Sequence, residues 1–300
     1  MKRLLIYILF FAAAASARTN AATGDLFIYP EAPDTISQLQ PRCDYIVSRF
    51  WDRCNFDRAM LAPDKFNTAF GDWISMMPYA SADTVYNAVD ALMARFAKKG
   101  PIAYQLATMA ENWLYSDTAS MRSDDVYSRF ARAAVANKKI GKAEKARFNA
   151  HLKIIDSSSL GATVPAVPFI RPDGTNGTLD DITTKGSIVL FFNDPDCMDC
   201  LMARVRLSSS PDANSLIEKG QLTIVSIYPG EADDEEWKKA CADAPANWVT
   251  VAMPVAAEFF RLDSTPAFYF LNSRRKVLRN DADLTANYLI EAFHTVNQSK

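Results

Sequence analysis

The sequence predicts two folded domains of different class, an all-α helical bundle followed by an α/β domain whose mixed central sheet is flanked by helices. Three observations support this prediction. Apolar residues recur at helical spacing in the first half, strand patterns alternate with helical ones in the second half, and a serine-rich segment lies between them. A length of 300 residues is sufficient for two separate cores.

The composition excludes several classes of protein. With 49% hydrophobic and 23% charged residues, the chain has the composition of a folded globular protein. Its 33 basic and 35 acidic residues leave no positive excess to neutralise phosphates, so we predict no nucleic-acid partner. The chain has two histidines, His151 and His294, which are too few for most catalytic dyads or zinc sites. Both are predicted to be surface or interface residues.

The amino terminus has the pattern of a secretory signal peptide over residues 1–17. A basic start, Met1-Lys2-Arg3, precedes an apolar run from Leu4 to Ala15, and Ala15-Ser16-Ala17 matches a small-x-small cleavage site. The run is shorter than the about 20 apolar residues that a membrane-spanning helix needs. We therefore expect cleavage after Ala17, export to the periplasm or the exterior, and no membrane span in the mature chain.

Residues 18–157 are predicted to form the helical domain. Two sets of apolar residues each mark the buried face of one helix: Val85, Val89, Leu92 and Phe96, and Ile102, Leu106, Met109 and Trp113. Further helix starts are expected at Pro63 and after Ser81 and Ser123. The serine-rich segment 156–161 is the predicted linker.

Residues 158–300 are predicted to form the α/β domain. The β-branched runs Ile188–Phe192 and Leu222–Tyr228 predict two buried strands, with a helix starting at Cys197 between them. The remaining predicted elements are a helix at 233–243, short strands at 248–252, 267–271 and 276–279, and a terminal helix at Thr285–Val296.

The motif Cys197-Met198-Asp199-Cys200 is the candidate for chemistry. It follows a predicted buried strand and begins a helix, so the first sulfur lies at the positive helix end and the second lies within one turn. Half of a zinc site has the same pattern, but the chain has no second Cys-x-x-Cys or Cys-x-x-His, so we predict no metal and no cofactor. A purely structural disulfide remains an alternative.

The second half resembles the thioredoxin superfamily, in particular the TlpA-like envelope thiol-disulfide oxidoreductases. The residues that carry the resemblance are Pro165, Phe169, Asp173-Gly174, Leu179, Ile182, the Cys-x-x-Cys motif and Thr265-Pro266 before a strand. The resemblance implies a thioredoxin-like fold in which Cys197 attacks, Cys200 resolves, Pro266 is a cis-proline and Thr265 contacts the substrate. The implied partners are protein thiols or disulfides and a redox partner that the sequence does not identify.

The first half resembles an uncharacterised helical domain that precedes thioredoxin-like domains in bacterial envelope proteins. The matching segments are Tyr45-Ile46-Val47, Phe50-Trp51-Asp52, Asn55-Phe56-Asp57 and 111–115. This resemblance supports the order of the domains but implies no reaction.

Three carboxylates surround the motif and depart from the family pattern: Asp194, Asp196 and Asp199. A carboxylate about 6 Å from a thiolate, at an effective dielectric near 40, costs roughly 1 kcal/mol, which equals or exceeds the benefit of the helix end. Asp196 is also a candidate N-cap, which would occupy the amides that stabilise the thiolate. We therefore expect a reductant or weak exchanger rather than a strong oxidant.

Two further departures leave the function open. The places at which the family holds a buried acid are occupied here by Phe191 and Ala203, so Cys200 has no obvious general base. The alternative function is a non-catalytic binding module with a vestigial motif. Among the other cysteines, a bridge between Cys43 and Cys54 stays open, and Cys241 is interpreted as a packed side chain.

Overall fold

The computed structural model of the protein describes residues 27–281. The predicted signal peptide, the predicted terminal helix and His294 lie outside the described residues. Across residues 27–281, every helix is too short or too polar to cross a membrane. The chain divides into two compact units between Thr84 and Val85, and each is described by itself.

Ten α-helices and seven strands form the described part of the chain. The helices are α1 (Leu39–Arg49), α2 (Phe56–Ala59), α3 (Pro63–Met76), α4 (Ala82–Arg95), α5 (Gly100–Leu114), α6 (Asp124–Ala136), α7 (Lys142–Ser158), α8 (Met198–Ser208), α9 (Pro211–Glu218) and α10 (Glu235–Ala242). The strands are β1 (Pro168–Ile170), β2 (Asn176–Thr178), β3 (Ser187–Phe192), β4 (Leu222–Tyr228), β5 (Val249–Ala252), β6 (Ala267–Leu271) and β7 (Val277–Asp281).

The first unit is a helical cluster with an aromatic core. Trp51 packs edge-on against Phe66 and Trp73, and the buried Trp73 indole donates a hydrogen bond to the Val47 carbonyl. Such edge-to-face pairs stabilise a core beyond the area that they bury. Cys43 and Cys54 are both buried in this unit and are not bridged.

Helices α4 and α6 start where the sequence signals predict. The hydroxyl of Ser81 accepts the Thr84 amide, and Ser123 caps α6 through the Val126 amide. Helix α5 starts at Gly100 and has Pro101 in its first turn, where a proline is tolerated. These helices pack through a second buried core: Val89, Leu106, Tyr127, Phe130 and Phe148.

The serine-rich segment differs from its prediction as a linker. Helix α7 continues to Ser158, and the hydroxyls of Ser157 and Ser158 donate to the carbonyls of Lys153 and Ile154 one turn earlier. The helix therefore uses the serines that the composition assigned to a loop. Irregular chain starts at Ser159, just before β1.

The second unit continues into a seven-stranded mixed sheet of order β2-β1-β5-β4-β3-β6-β7. Strands β3, β4 and β5 are parallel, while β6 pairs antiparallel with β3 and β7 pairs antiparallel with β6. The predicted mixed sheet with helices is confirmed. The hairpin of β1 and β2 was not predicted, because strands of three residues carry too short a periodicity.

Strand β3 lies inside the sheet between β4 and β6 and is buried over all six residues. On one face, Val189 and Phe191 pack with Leu207 of α8 and Ala213 of α9. On the other face, Leu190 contributes to a core that includes residues of the segment 253–262. The register sets Phe192 beside Ala267, so the end of β3 and the start of β6 are adjacent. The loops at these two ends form the candidate site.

Candidate active site

Cys197 and Cys200 form a disulfide at the start of α8, with their Cα atoms 5.1 Å apart. Cys197 is the N-cap of the helix and is half-buried, whereas Cys200 is 0% exposed. One sulfur can therefore be reached from outside and the other cannot. A molecule that approaches this disulfide from outside therefore meets Cys197 before Cys200.

The expectation that Asp196 is the N-cap of α8 is wrong. The Cys200 amide instead donates to the Cys197 sulfur at 3.1 Å, and the Asp194 carboxylate accepts the Asp196 amide at 3.0 Å. The Cys200 amide at the helix start therefore points at the Cys197 sulfur and is not occupied by an aspartate carboxylate. Such an amide stabilises a thiolate when the disulfide is reduced.

The Thr265–Pro266 peptide bond is cis and lies against the motif. The Cys197 sulfur is 3.6 Å from the Thr265 carbonyl oxygen. The structure thus brings together four predicted site residues from two loops that are about 66 positions apart in the chain: Cys197, Cys200, Thr265 and Pro266.

The predicted acidic residues lie on one side of the motif. Asp196 and Asp199 are exposed and Asp194 is half-buried. Burial, and then the charges of Asp234, Asp194 and Asp196, raise the pKa of the Tyr228 phenol. The Tyr228 phenol therefore interacts electrostatically with Asp194 and Asp196, just before the motif, and with Asp234, just before α10.

The interior behind the motif holds no carboxylate at either of the two family positions. Phe191 is fully buried and stacks on Phe268 with ring centroids 4.8 Å apart, and Ala203 packs against the same core. These contacts are apolar, so neither position can accept a proton. The departure that the sequence indicated is therefore a packed hydrophobic core in the structure.

A polar network that the sequence analysis missed lies beside this core. The buried Asn193 amide donates to the carbonyls of Phe191 and Ile227 and to the Ser226 hydroxyl, and its oxygen accepts from Arg204 at 3.0 Å. The Nε of Arg204 is buried without a hydrogen-bond partner among the described residues. The available signal was an arginine one helical turn after Cys200.

The third thiol of this unit is Cys241, which lies half-buried on α10. Burial raises the pKa of the Cys241 thiol, and the charge of Arg204 opposes that shift. A thiol that is held protonated is a poor nucleophile. This environment agrees with the interpretation of Cys241 as a packed side chain.

The loop before Thr265 is anchored through Arg261, a residue that sequence reasoning did not single out. Its guanidinium is 15% exposed, pairs with Asp124 at 3.4 Å and Asp263 at 3.1 Å, and lies 4.4 Å above the ring of Tyr115. It also donates to the Tyr115 carbonyl. The loop that ends at the cis-proline is thereby tied to the ends of α5 and α6.

Two further contacts fix the same loop. The Tyr269 hydroxyl accepts the Arg261 amide at 3.0 Å and donates to the Arg261 carbonyl at 2.9 Å. Asp263 pairs with Arg122 at 2.6 Å. A cavity of about 470 Å³ opens between these groups, and four of its charged side chains, Arg122, Asp124, Arg261 and Asp263, are paired with one another.

An aromatic cluster packs against Arg261 through the ring of Tyr115. Tyr115 stacks on Tyr127 with centroids 4.6 Å apart, and the Tyr127 hydroxyl is 2.7 Å from Nδ1 of His151. Burial, and then the charges of Arg147 and Arg261, lower the pKa of His151. His151 is therefore a half-buried interior residue of the second unit rather than a solvated one.

Comparisons with known proteins identify the fold. A thioredoxin-like protein from Bacteroides caccae superposes with a TM-score of 0.69 at 23% identity, over 91% of this chain and 99% of that one. This similarity shows that the chain has a thioredoxin-like fold. Residues 12–158 match the model of a domain of unknown function, DUF5106. No curated protein matches the sequence.

Two shorter structures match the chain over about half its length. The C-terminal domain of an uncharacterized protein from Bacteroides fragilis is 27% identical, with a TM-score of 0.42 over 46% of this chain and 99% of that one. The thioredoxin domain of a thiol-disulfide oxidoreductase from Bacteroides vulgatus is 20% identical, with a TM-score of 0.38 over 48% and 99%.

Proposed function

We propose that the protein is a thiol-disulfide oxidoreductase that acts on protein cysteines, with Cys197 as the attacking sulfur and Cys200 as the resolving one. The observation that carries the proposal is the asymmetry of the disulfide. One sulfur is accessible, receives a helix amide and faces a backbone carbonyl, while the other is buried directly behind it.

The reaction begins when the Cys197 thiolate of the reduced protein attacks one sulfur of a substrate disulfide. The substrate bond breaks, a mixed disulfide with Cys197 forms, and the departing sulfur takes a proton. The Cys200 thiolate then attacks the Cys197 sulfur, which closes the internal disulfide and releases the second substrate sulfur as a thiol. Two electrons pass to the substrate, and an external dithiol has to reduce the protein again.

The loop before β6 supplies the substrate contact in this proposal. The half-buried Thr265 and Pro266 present backbone beside Cys197, with the Thr265 carbonyl on the side of the sulfur. An extended segment that pairs with this backbone would place its own cysteine against Cys197. Main-chain pairing of this kind gives affinity without a requirement for one particular sequence.

The acidic surroundings set the direction of exchange that we propose. Carboxylates near Cys197 raise the free energy of the thiolate, while the neutral disulfide is unaffected. The helix amide on the sulfur opposes this effect, because it stabilises the thiolate. Each of the two contributions is of the order of 1 kcal/mol. We therefore propose a reductant or weak exchanger rather than a strong oxidant.

The place of the reaction and the domain arrangement belong to the same proposal. An exported protein with cleavage after Ala17 would work in the cell envelope or outside it, where protein disulfides form. The proposed domains are the helical domain 18–157 and the thioredoxin-like domain 158–300. The proposed partners are protein thiols and disulfides and a redox partner still to be identified.

The second candidate function is a non-catalytic binding module with a thioredoxin-like fold. The observation that favours it is the packed aromatic core at Phe191, which leaves Cys200 without a proton acceptor at that position. If the internal disulfide is never reduced, the motif serves only to stabilise the start of α8. The two candidates differ in one measurable property, the rate of protein disulfide reduction.

Insulin reduction by dithiothreitol separates the two candidates. We expect the wild-type protein to accelerate insulin precipitation above the dithiothreitol background, and Cys197→Ser to return the rate to that background. Cys241→Ser is the matched control, since it also removes one thiol from the second unit, and it should behave as wild type. A wild-type rate equal to the background would refute the oxidoreductase proposal.

A further inference from the structure

Helix α8 has an apolar side that is largely exposed in the described chain. Its four exposed apolar side chains are spaced at i, i+3, i+4 and i+7, so they share one side of the helix. They form what we call the α8 apolar face: Met198 (69% exposed), Leu201 (46%), Met202 (46%) and Val205 (51%). The opposite side, with Cys200 and Leu207, is buried.

The position of this face distinguishes it from scattered surface hydrophobics. The other large exposed apolar residues of the described chain occur singly, such as Leu61 and Leu160, or as the adjacent pair Ile28 and Tyr29. The α8 apolar face begins at Met198, between the two cysteines, and continues down the helix from the disulfide. Any molecule that covers the face therefore also covers the entrance to Cys197.

The border of the α8 apolar face is acidic. Asp194, Asp196 and Asp199 adjoin it, and none of the three forms an ion pair within residues 27–281. Further acids follow β4, in the loop 231–234, and the Tyr228 hydroxyl donates to Asp234 at 3.3 Å. Burial, and then the charges of Asp234, Asp194 and Asp196, raise the pKa of the Tyr228 phenol, so this one side chain interacts with acids of both groups.

Of the basic side chains near this border, Arg206 on α8 is exposed, and the others are mostly engaged. Lys238 and Lys239 pair with Glu235 and Glu236 on their own helix, although the charge of Lys239 also reaches Asp196. Arg204 turns inward to Asn193. A cation supplied by another molecule would therefore meet carboxylates that the chain leaves largely uncompensated.

We propose that the α8 apolar face docks a basic amphipathic segment of the substrate protein, with apolar side chains on the face and lysines or arginines toward the acids. The inference rests on the proposed oxidoreductase function and names its class of substrate. A second copy of this chain fits less well, because a two-fold contact through the face would bring two sets of aspartates together. An anionic membrane surface is disfavoured by the same charges.

Peptides that report attack by Cys197 test this selection. The full chain carrying Cys200→Ser is reacted with peptides of equal length, each with one cysteine bonded to 5-thio-2-nitrobenzoate. The Cys197 thiolate attacks the peptide sulfur, the peptide–nitrobenzoate bond breaks, and the coloured thiolate that leaves is measured. One peptide is apolar and basic, one is apolar and acidic, and one is polar and basic.

The apolar basic peptide is expected to react roughly tenfold faster than either of the others, which corresponds to about 1.4 kcal/mol of selective binding. In the background of the double variant Leu201→Ser/Val205→Ser, this preference over the polar basic peptide should disappear. Each rate constant is divided by that of the same variant with dithiobis(nitrobenzoate), so any change at Cys197 itself cancels. Leu61→Ser, at an 85% exposed position, is the matched control.

The outcomes separate failure of this inference from failure of the proposed function. Normal reaction with the small disulfide but equal rates for the three peptides, or a preference that survives in the double variant, overturns the docking proposal alone. No reaction with the small disulfide overturns both proposals. A dimer that the double variant dissociates, without any peptide preference, assigns the face to a second copy and also overturns the proposal.

Discussion

The loop after β3 and the loop before β6 meet at the disulfide, but different kinds of contact hold them. The first loop uses neighbours in sequence: Asp194 accepts the Asp196 amide, and Cys197 accepts the Cys200 amide. The second loop uses residues 137 to 146 positions away, through the contacts of Arg261 with Asp124 and Tyr115. The reactive sulfur is thus positioned locally, and the backbone opposite to it is positioned by the helices.

This difference gives helices α5 and α6 a structural role. Without Tyr115 and Asp124, the guanidinium of Arg261 would lose partners that fix the segment leading to Thr265. The chemistry at Cys197 would remain, but the surface that receives a substrate strand would be less ordered. Disturbing each loop separately should therefore produce different defects.

The largest expected effect comes from Arg261→Ala in the second loop. The change leaves Asp124 and Asp263 without their shared cation, so we expect the free energy of unfolding to fall by about 2–4 kcal/mol. KM for a protein disulfide should rise, while the attack of Cys197 on a small disulfide stays closer to wild type. Guanidinium denaturation and steady-state kinetics measure the two effects.

Two companions make the Arg261 experiment decisive. Arg261→Lys keeps the charge but loses the planar stacking on Tyr115, so it should be intermediate in stability and remain folded. Arg206→Ala, on the exposed side of α8, should leave stability within about 0.5 kcal/mol of wild type. Equal stability of Arg261→Ala and Arg206→Ala would contradict the anchoring role.

The next effect concerns the first loop, through Asn193→Ala. The change strands the Ser226 hydroxyl and Arg204, so a loss of about 1–3 kcal/mol is expected. In contrast to the Arg261 variant, this one should slow the reaction of Cys197 with small and protein disulfides alike. Asn112→Ala, at an exposed helix position, is the control. A lower reaction rate with protein disulfides alone would contradict the proposed difference between the two loops.

A smaller effect is expected from Asp196→Asn/Asp199→Asn, which neutralises two exposed carboxylates of the first loop. Each of the two substitutions should raise the thiolate population of reduced Cys197 by at most about fivefold, equivalent to roughly 1 kcal/mol. The measurement is the rate of iodoacetamide labelling at pH 6, with labelled Cys197 identified by mass spectrometry. The gain should shrink in high salt, and Asp212→Asn should show none. An unchanged rate in low salt would refute the electrostatic argument.

The smallest effect is a pH dependence of the second loop through His151. Burial lowers the pKa of folded His151 below its unfolded value of about 6.5, so the unfolded chain binds the proton more readily. This contribution to stability is complete above that value and is lost as the pH falls below it. The decline from pH 7.5 to 5.5 should be smaller in His151→Gln, by less than about 1 kcal/mol. A decline of equal size in both proteins would exclude His151 as the cause.

The first loop was the more predictable of the two. A buried strand followed by two cysteines one helical turn apart identifies the position of the motif without any distant information. What local reasoning misassigned was the cap, since Asp196 and Cys197 are both adjacent to the helix start and only the backbone geometry decides between them.

The second loop could be predicted only in part. Thr265-Pro266 before a strand was recognisable through a family resemblance, but the role of Arg261 depends on contacts with residues more than 130 positions earlier. A single sequence carries no signal for such pairs. The same limit explains why Arg204 and Asn193 were missed, although they are only 11 positions apart.

Trapping of a mixed disulfide tests the proposed exchange reaction most directly. Oxidised glutathione is added to the reduced Cys200→Ser and Cys197→Ser variants, and the adduct is located by mass spectrometry. We expect one glutathione on Cys197 of the first variant and little on Cys200 of the second, because Cys200 is buried behind it. Equal labelling of the two cysteines, or none on Cys197, would contradict the assignment of Cys197 as the attacking sulfur.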